Sequence, residues 1–473
     1  MITSVLFWLG LFAYVVLIAS TAVVVVLENR QPAKTIAWLI VLIGLPVIGW
    51  VFFYFFGQDE RRKHLLNRKN YRRITQRMRS AIGPQPVGSR PEKYAQLIRL
   101  QETRAHAVFT SGNELRLLSD GRAFLQALLR DIYAAKRHIH IEMYIFEDDA
   151  VGRLLRDALA DRAREGVEVR VLYDDVGCWN VPNAFFASME RCGILVGAFL
   201  PVRFPSLTRR ANYRNHQKIC VIDGRCGYIG GMNIALRYVT RRDNNWRDMQ
   251  LRVEGNGAAG LQHLFLSNWY FATGRLRTER RYFHETSPAE SGHLLQIVAS
   301  SPISRFPEIM YSVTWMAQNA RKYLYIETPY FMPTEPVLQA LQTAAMSGVD
   351  VRLVLPLKPD AFWLRWANES YFDDVLRAGI RVYLYEEGFM HAKTIVMDDD
   401  CCSVGSTNMD FRSFENNFEA NAFIYGTSMA ADVKAVISED MRHSREIKLG
   451  EWRKRPTWRK FLESHTRILS PLL

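Results

Sequence analysis

Two histidines in this chain each carry a lysine two residues on, inside the same longer pattern. His216 opens HQKICVIDGRCGYIGGMN, and His391 opens HAKTIVMDDDCCSVGSTN. Both fit His-x-Lys, four residues, Asp, six residues, Gly followed by Gly or Ser, one residue and Asn. A lone His-x-Lys carries no information, but six constrained positions at equal spacing, twice over, do. Each copy runs into β-branched residues, ICVID or TIVMD, so strand is expected. Residues two apart on a strand share a face, which sets His216 beside Lys218 and His391 beside Lys393. An imidazole works as nucleophile or general acid near neutral pH. An ammonium is a compact charge suited to a phosphate oxygen. Asp223, followed by Gly224, is a hairpin signal; Asp398 is its counterpart in the second copy. Asn233, Asn408 and Ser406 add neutral donors for the same anion.

The elements that must position these groups repeat as well. IEMYIF from residue 141 has a counterpart in IETPYF from 326, and GVEVRVL from 166 in GVDVRLVL from 348. With the motifs, these pieces are offset by 185, 182 and 175 residues. Strand, helix and strand alternate before each motif, which argues α/β layering. The chain thus reads as a duplicated α/β unit, 107–280 with its motif in 211–238, and 281–473 with its motif in 386–413. Residues 274–293 are the connector. Each copy carries an acid after its motif: Asp248 lies 32 residues beyond His216, and Glu419 lies 28 beyond His391. Generic surface acids are the alternative for both.

Residues 5–27 and 36–56 hold no charge, and each is long enough to cross a bilayer. ENRQPAKT between them reads as a polar turn, so 1–57 is expected to be a transmembrane hairpin. No Lys or Arg precedes the first apolar run, and a second follows at once, which argues against a cleaved signal peptide. Residues 61–80 hold nine Lys or Arg. The positive-inside rule keeps them, and the large domain, cytoplasmic. The segment 58–106 is expected to be a basic juxtamembrane stretch, lying against anionic headgroups, and a linker, with the linker sequence at 83–91. Among 473 residues the net charge is +13, which suits nucleic acid or an anionic membrane. The six cysteines form no CxxC pair or zinc-like cluster, so no metal is expected. There is no Walker loop and no dinucleotide fingerprint. WNVPNAFF at 179–186, FWLRWANESYF at 362–372 and EWRKRPTWRKFLES at 451–464 are aromatic stretches suited to a headgroup interface, with core packing as the alternative for any one ring.

The doubled motif resembles the phospholipase D superfamily, over roughly residues 107–440. That resemblance implies two units meeting at a pseudo-two-fold interface, with the active site between them. One histidine would attack phosphorus and form a phosphohistidine, and the other would protonate the leaving alcohol. Lys218, Lys393, Asn233, Ser406 and Asn408 would hold the phosphate oxygens. Asp248 and Glu419 would bond the second nitrogen of a motif histidine and fix its tautomer. Asp223 and Asp398 belong to the motif in a role either chemical or structural.

The N-terminal hairpin selects within the superfamily. Two spans, a basic segment and two motif units look like the membrane-anchored bacterial cardiolipin synthases. The resemblance implies a multi-pass protein of the bacterial inner membrane that joins two phosphatidylglycerol molecules into cardiolipin and glycerol, without cofactor or nucleic acid. By analogy His216 is the nucleophile and His391 the acid/base, although the near-symmetry of the sequence leaves the two roles interchangeable. A hydrolase, or a transferase with another phospholipid donor, would use the same residues. The sequence leaves a homo-oligomer open.

Overall fold

The computed structural model describes residues 2–27, 32–53, 68–82, 90–202, 212–240, 245–284 and 292–470. The polar turn at 28–31, the start of the basic stretch at 61–67, most of the linker and the connector residues 285–291 lie outside the described residues. The chain divides into two compact units, 1–63 with 202–213, and 64–201 with 214–473.

The first unit contains α1 (Ile2–Leu27), α2 (Pro32–Gly44) and α3 (Pro46–Phe52). Among the described residues only one helix, over Ser4–Leu27, is long and apolar enough to cross a membrane. The second expected span is interrupted. Leu45, at φ −133° and ψ 67°, leaves the helical region, because the ring of Pro46 disfavours that conformation in the residue before it. Two shorter helices therefore stand where one continuous span is expected. Val25, Leu42 and Phe53 bury one another here, with Trp38 edge-on to Phe53.

The second unit is built on one large mixed sheet. Its first half supplies β1 (Thr110–Leu118), β2 (His138–Met143), β3 (Glu168–Asp174), β4 (Leu195–Phe199), β5 (Arg214–Asn215), β6 (Lys218–Ile222), β7 (Cys226–Gly230), β8 (Trp246–Arg247) and β9 (Gln250–Glu254). Its second half supplies β10 (His293–Ser300), β11 (Tyr323–Glu327), β12 (Phe331–Met332), β13 (Asp350–Pro356), β14 (Arg381–Tyr385), β15 (Phe389–Met390), β16 (Thr394–Met397), β17 (Cys401–Gly405), β18 (Met409–Asp410), β19 (Asn417–Tyr425) and β20 (Ser444–Ile447). The strand order is β20-β14-β13-β11-β16-β17-β19-β10-β1-β9-β7-β6-β2-β3-β4. Read outward from the antiparallel β1–β10 pair, the two sides match strand for strand: β9-β7-β6-β2-β3 faces β19-β17-β16-β11-β13. A duplicated α/β unit is thus joined edge to edge into one sheet. The strands are buried on both faces, as in a sheet covered by helices on both sides. One cluster of buried side chains belongs to each half, and a third draws Ile219, Val221 and Leu251 together with Val396, Val404 and Ile424 across the join.

The described part of the basic stretch is α4 (Arg68–Ile82). It buries Ile74 and Met78, and Thr75 Oγ1 lies 3.0 Å from His263 Nε2 on α5 (Asn256–Thr273), with Arg73, Arg77 and Arg79 exposed. The aromatic stretches divide by ring. Phe185 and Phe186 are core, against Phe146 and Tyr173, and only Trp179 of that run's aromatic rings is exposed. Trp366, Tyr371 and Phe372 are buried, whereas Phe362 and Trp363 at the start of α6 (Phe362–Glu369) are not.

Candidate active site

Each motif histidine is placed by strand addition across the join. β5, just before His216, pairs in parallel with the start of β19, and the His216 N–H donates to the Phe418 carbonyl at 2.9 Å. β15, just before His391, pairs in parallel with β8, and the His391 N–H donates to the Arg247 carbonyl at 2.7 Å. The residues that follow Phe418 and Arg247 are Glu419 and Asp248. Register alone therefore brings each histidine to the acid of the other half. His216 Nδ1 lies 2.9 and 3.2 Å from the two Glu419 oxygens, and His391 Nδ1 lies 2.5 Å from Asp248 Oδ2. All four residues are buried.

Lys218 and Lys393 are buried beside them. Lys218 Nζ donates to the His216 carbonyl at 2.6 Å and sits over the Tyr144 ring, 5.1 Å from its centroid. Lys393 Nζ donates to the His391 carbonyl and lies 2.9 Å from His391 Nδ1. The walls around the two histidines differ. His216 meets the edge of Tyr144, and His391 is packed by Trp246, Tyr238 and Phe389.

Burial and the two ammoniums set the charges. Burial, with help from Lys218 and Lys393, lowers His216 to about 4 and His391 well below its ordinary value. Burial lowers Lys393 to about 8 against the pull of Asp248 and Glu419, and it also lowers Lys218, where Glu419 and Asp248 oppose it. The carboxylates are not equivalent. Burial pushes Asp248 up to about 7, opposed by Lys393. Burial also works against ionised Glu419, yet His216, Lys218 and Ser406 hold it below the ordinary carboxylate range. An ionised acid at Nδ1 keeps that nitrogen protonated, which leaves the Nε2 lone pair of His216 free to attack.

Other motif residues have different places from those their types suggest. Asp223 and Asp398 are not at the site. They stand at the far ends of β6 and β16, about 20 Å of extended strand from the histidines. Both adopt positive φ, 55° and 52°. Asp223 accepts from the backbone N–H groups of Lys136, Arg137 and His138, at 2.7–2.9 Å. Asp398 accepts from those of Arg321, Lys322 and Tyr323, at 2.8–3.3 Å. They tie the hairpin turn to the neighbouring strand, a structural role that corrects the chemical one. Ser406 is also turned away from an anion-binding role: its Oγ donates to Glu419 Oε2 and accepts from the Ala420 N–H at 3.0 Å. Asn233 donates to Tyr238 Oη at 2.7 Å and accepts from the Ile145 N–H at 3.0 Å. Asn408 is buried and bonds Asp410.

Gly231 occupies the place of Ser406 in the first half, and the structure explains the difference. A Cβ there would lie 2.2 Å from Asp248 Oδ1. The shorter acid needs that space, whereas the longer Glu419 reaches past a serine and is held by it. Gly231→Ser is therefore expected to displace the Asp248 carboxylate and lower kcat by about 100-fold with the fold intact, because small misplacements at reacting centres cost about that much. Steady-state kinetics with a thermal melt checks this; unchanged turnover would mean that Asp248 does not position His391.

Two buried glutamates complete the site, and neither is singled out by motif spacing. Glu142 accepts from Asn215, next to His216, at 2.5 Å and from Asn268 at 2.7 Å; burial pushes it up to about 8. Glu327 accepts from Thr394, next to Lys393, at 2.7 Å. Burial and Asp440 hold it well above the carboxylate range, while Asp440 in turn clamps Arg247 at 2.9 Å. The signal for them is the repeat itself, since IEMYIF and IETPYF carry an acid at the same position.

Comparison with known proteins agrees with this geometry. The family described as "Cardiolipin synthase, PLD-like domain" matches residues 128–255 and 314–441, together more than half of the chain. An N-terminal family of phospholipase D and nuclease type matches residues 15–58. The major cardiolipin synthase of Bacillus subtilis is 38% identical over 98% of each chain. Cardiolipin synthase 2 of Bacillus anthracis is 38% identical over 95% of this chain and 89% of its own. The chain belongs to the cardiolipin synthase family. As a cardiolipin synthase it is a phosphatidyltransferase of the phospholipase D superfamily, acting on phospholipid and associated with membrane. Its fold is shared with the crystal structure of phosphatidylserine synthase from Haemophilus influenzae, at TM-score 0.62 and 16% identity, over 80% of this chain and all of that one.

Proposed function

We propose that this cardiolipin synthase transfers a phosphatidyl group from one phosphatidylglycerol to another. The observation that supports it most is the pair of crossed imidazole–carboxylate contacts with two buried lysines between the halves. His216 Nε2 attacks phosphorus, the P–O bond to glycerol breaks, and His391 gives the departing oxygen its proton. A glycerol hydroxyl of the second phosphatidylglycerol then attacks the phosphohistidine, His391 takes its proton, and the P–N bond breaks. One phosphodiester replaces another, so no nucleotide drives the reaction. A phosphodiester between Lys218 and Lys393 offsets their charge, which raises His391 towards the protonated form that the first step needs. Burial of both imidazoles keeps water from the phosphohistidine. Two membrane passages with the catalytic unit cytoplasmic, and repeat units bounded near residues 107 and 281, are part of this reading.

The test is the lipid product. Full-length protein in phosphatidylglycerol vesicles, with chelator and without nucleotide, is expected to yield cardiolipin and glycerol in equal amounts. Phosphatidic acid as the main product would assign a hydrolase instead. The pH profile carries a further expectation. The Lys393 ammonium, lowered to about 8, is lost as pH rises through that value, so kcat/KM falls above about pH 8. Bound phosphodiester stabilises the ammonium, so the alkaline limb of kcat lies higher. A kcat/KM profile flat to pH 10 would exclude an ammonium of depressed pKa from phosphate binding.

A further inference from the structure

The C-terminal helix α7 (Thr457–Leu469) is amphipathic in the inverted sense. Its polar stripe faces the protein. Arg455, just before it, pairs with Glu463 at 2.8 Å, and Arg459 pairs with Glu369 of α6 at 2.6 Å. Arg365 holds the same Glu369 at 3.0 Å. Its apolar stripe faces solvent: Trp458 and Phe461 are each 61% exposed and Ile468 is 76% exposed, at helical spacing. α6 continues the surface with Phe362, 70% exposed, and Trp363, 57% exposed. Trp366 joins the two helices, its ring 5.7 Å from Phe362 and 6.1 Å from Trp458. A surface helix of a water-soluble domain buries its apolar side. Here that side is turned outward, so it has an occupant.

The charges around the patch identify the occupant. Glu369 and Glu463 are turned inward and neutralised by arginine, while in the segments that flank the two helices the exposed Arg453, Lys454 and Lys358 outnumber the exposed Glu451 and Asp360. Outward aromatics with a basic rim fit an anionic phospholipid surface. The patch also adjoins the reacting groups. Asp360, two residues before α6, accepts from Tyr330 Oη at 2.8 Å. The Tyr330 ring lies 6.4 Å from Phe389, which lies 5.7 Å from His391. We infer that α6 and α7 together form an interfacial docking surface that seats the His391 side of the active site on an anionic membrane. This rests on the reading that the substrate is a membrane phospholipid.

The test uses full-length protein reconstituted into vesicles. Five of the six free cysteines are buried, and Cys192→Ser removes the half-exposed one. In that background single cysteines at Phe461, Trp363 and Met346 carry an environment-sensitive fluorophore. Met346, 69% exposed on another helix, is the control. Vesicles contain phosphatidylglycerol and a spin-labelled phosphatidylcholine quencher. Labels at 461 and 363 are expected to be quenched at least twofold more than the label at 346, and less so when phosphatidylglycerol is replaced by phosphatidylcholine. Equal quenching at the three positions would overturn the proposal, as would label–label proximity between copies at 461 in detergent, which would assign the patch to a second chain. Trp458→Ser with Phe461→Ser is expected to raise KM on vesicles about tenfold and leave turnover of short-chain monomeric phosphatidylglycerol unchanged. An equal loss on both substrates would overturn docking as its role. Quenching is read without turnover, so a wrong donor lipid would fail the product assay and leave this measurement standing.

Discussion

His216→Ala abolishes turnover, by about 10⁴-fold or more, and with it any covalent phosphatidyl-enzyme. A nucleophile whose removal leaves only binding and electrostatic stabilisation costs at least that much. His391→Ala is expected to lower turnover to a similar level for a different reason. Attack by His216 then proceeds slowly, and the intermediate has no base to activate the second alcohol, so a phosphatidyl group accumulates. Acid quenching destroys a phosphohistidine, so the adduct is sought in base-quenched digests by mass spectrometry. An adduct on the peptide holding His216 assigns the nucleophile. An adduct on the peptide holding His391 would exchange the two roles, and the charge difference between Glu419 and Asp248 would then need another account.

Glu419→Gln is expected to cost about 10³-fold in kcat with KM little changed. The carboxylate touches the histidine rather than the substrate, and its loss removes both the fixed tautomer and the charge that stabilises the imidazolium. Asp248→Asn is expected to cost less, about 10²-fold, because burial raises Asp248 to about 7 and leaves it only partly ionised at neutral pH, whereas Glu419 is ionised. Single-turnover kinetics separates the two. Glu419→Gln slows formation of the adduct on His216, although the two residues stand 203 positions apart in the chain. Asp248→Asn slows its resolution by His391. A loss of the opposite pattern would mean that each acid serves the histidine of its own half.

The reacting groups were legible because their spacing repeats. His216, Lys218, His391 and Lys393 need only strand periodicity to be placed side by side. The α/β repeat was legible for the same reason. The crossing was not, since it depends on which strand β5 and β15 pair with, and pairing between strands 143 and 203 residues apart leaves no local trace. Asp223 and Asp398 share the motif's spacing because the turn they tie down ends the same strand that the histidine begins. Ser406 carries a hydroxyl that suits an anion, yet the nearest acceptor is Glu419, a fact of tertiary placement. Phe185 and Phe186 match an interfacial ring in type, and only burial tells them apart. Pro46 was visible in an otherwise uncharged run. Its effect on Leu45 could have divided the second apolar stretch from sequence alone.

The exchange of strands between the halves bears on what the duplication means. A repeated unit ordinarily offers a spare, since damage to one copy leaves the other intact. Here β8 serves the histidine of the second half, and β19 serves that of the first. A lesion at either strand disables the twin's imidazole, and with it the one reaction centre that both build. The repeat carries no redundancy, and each half is held to its form by the demands of the other.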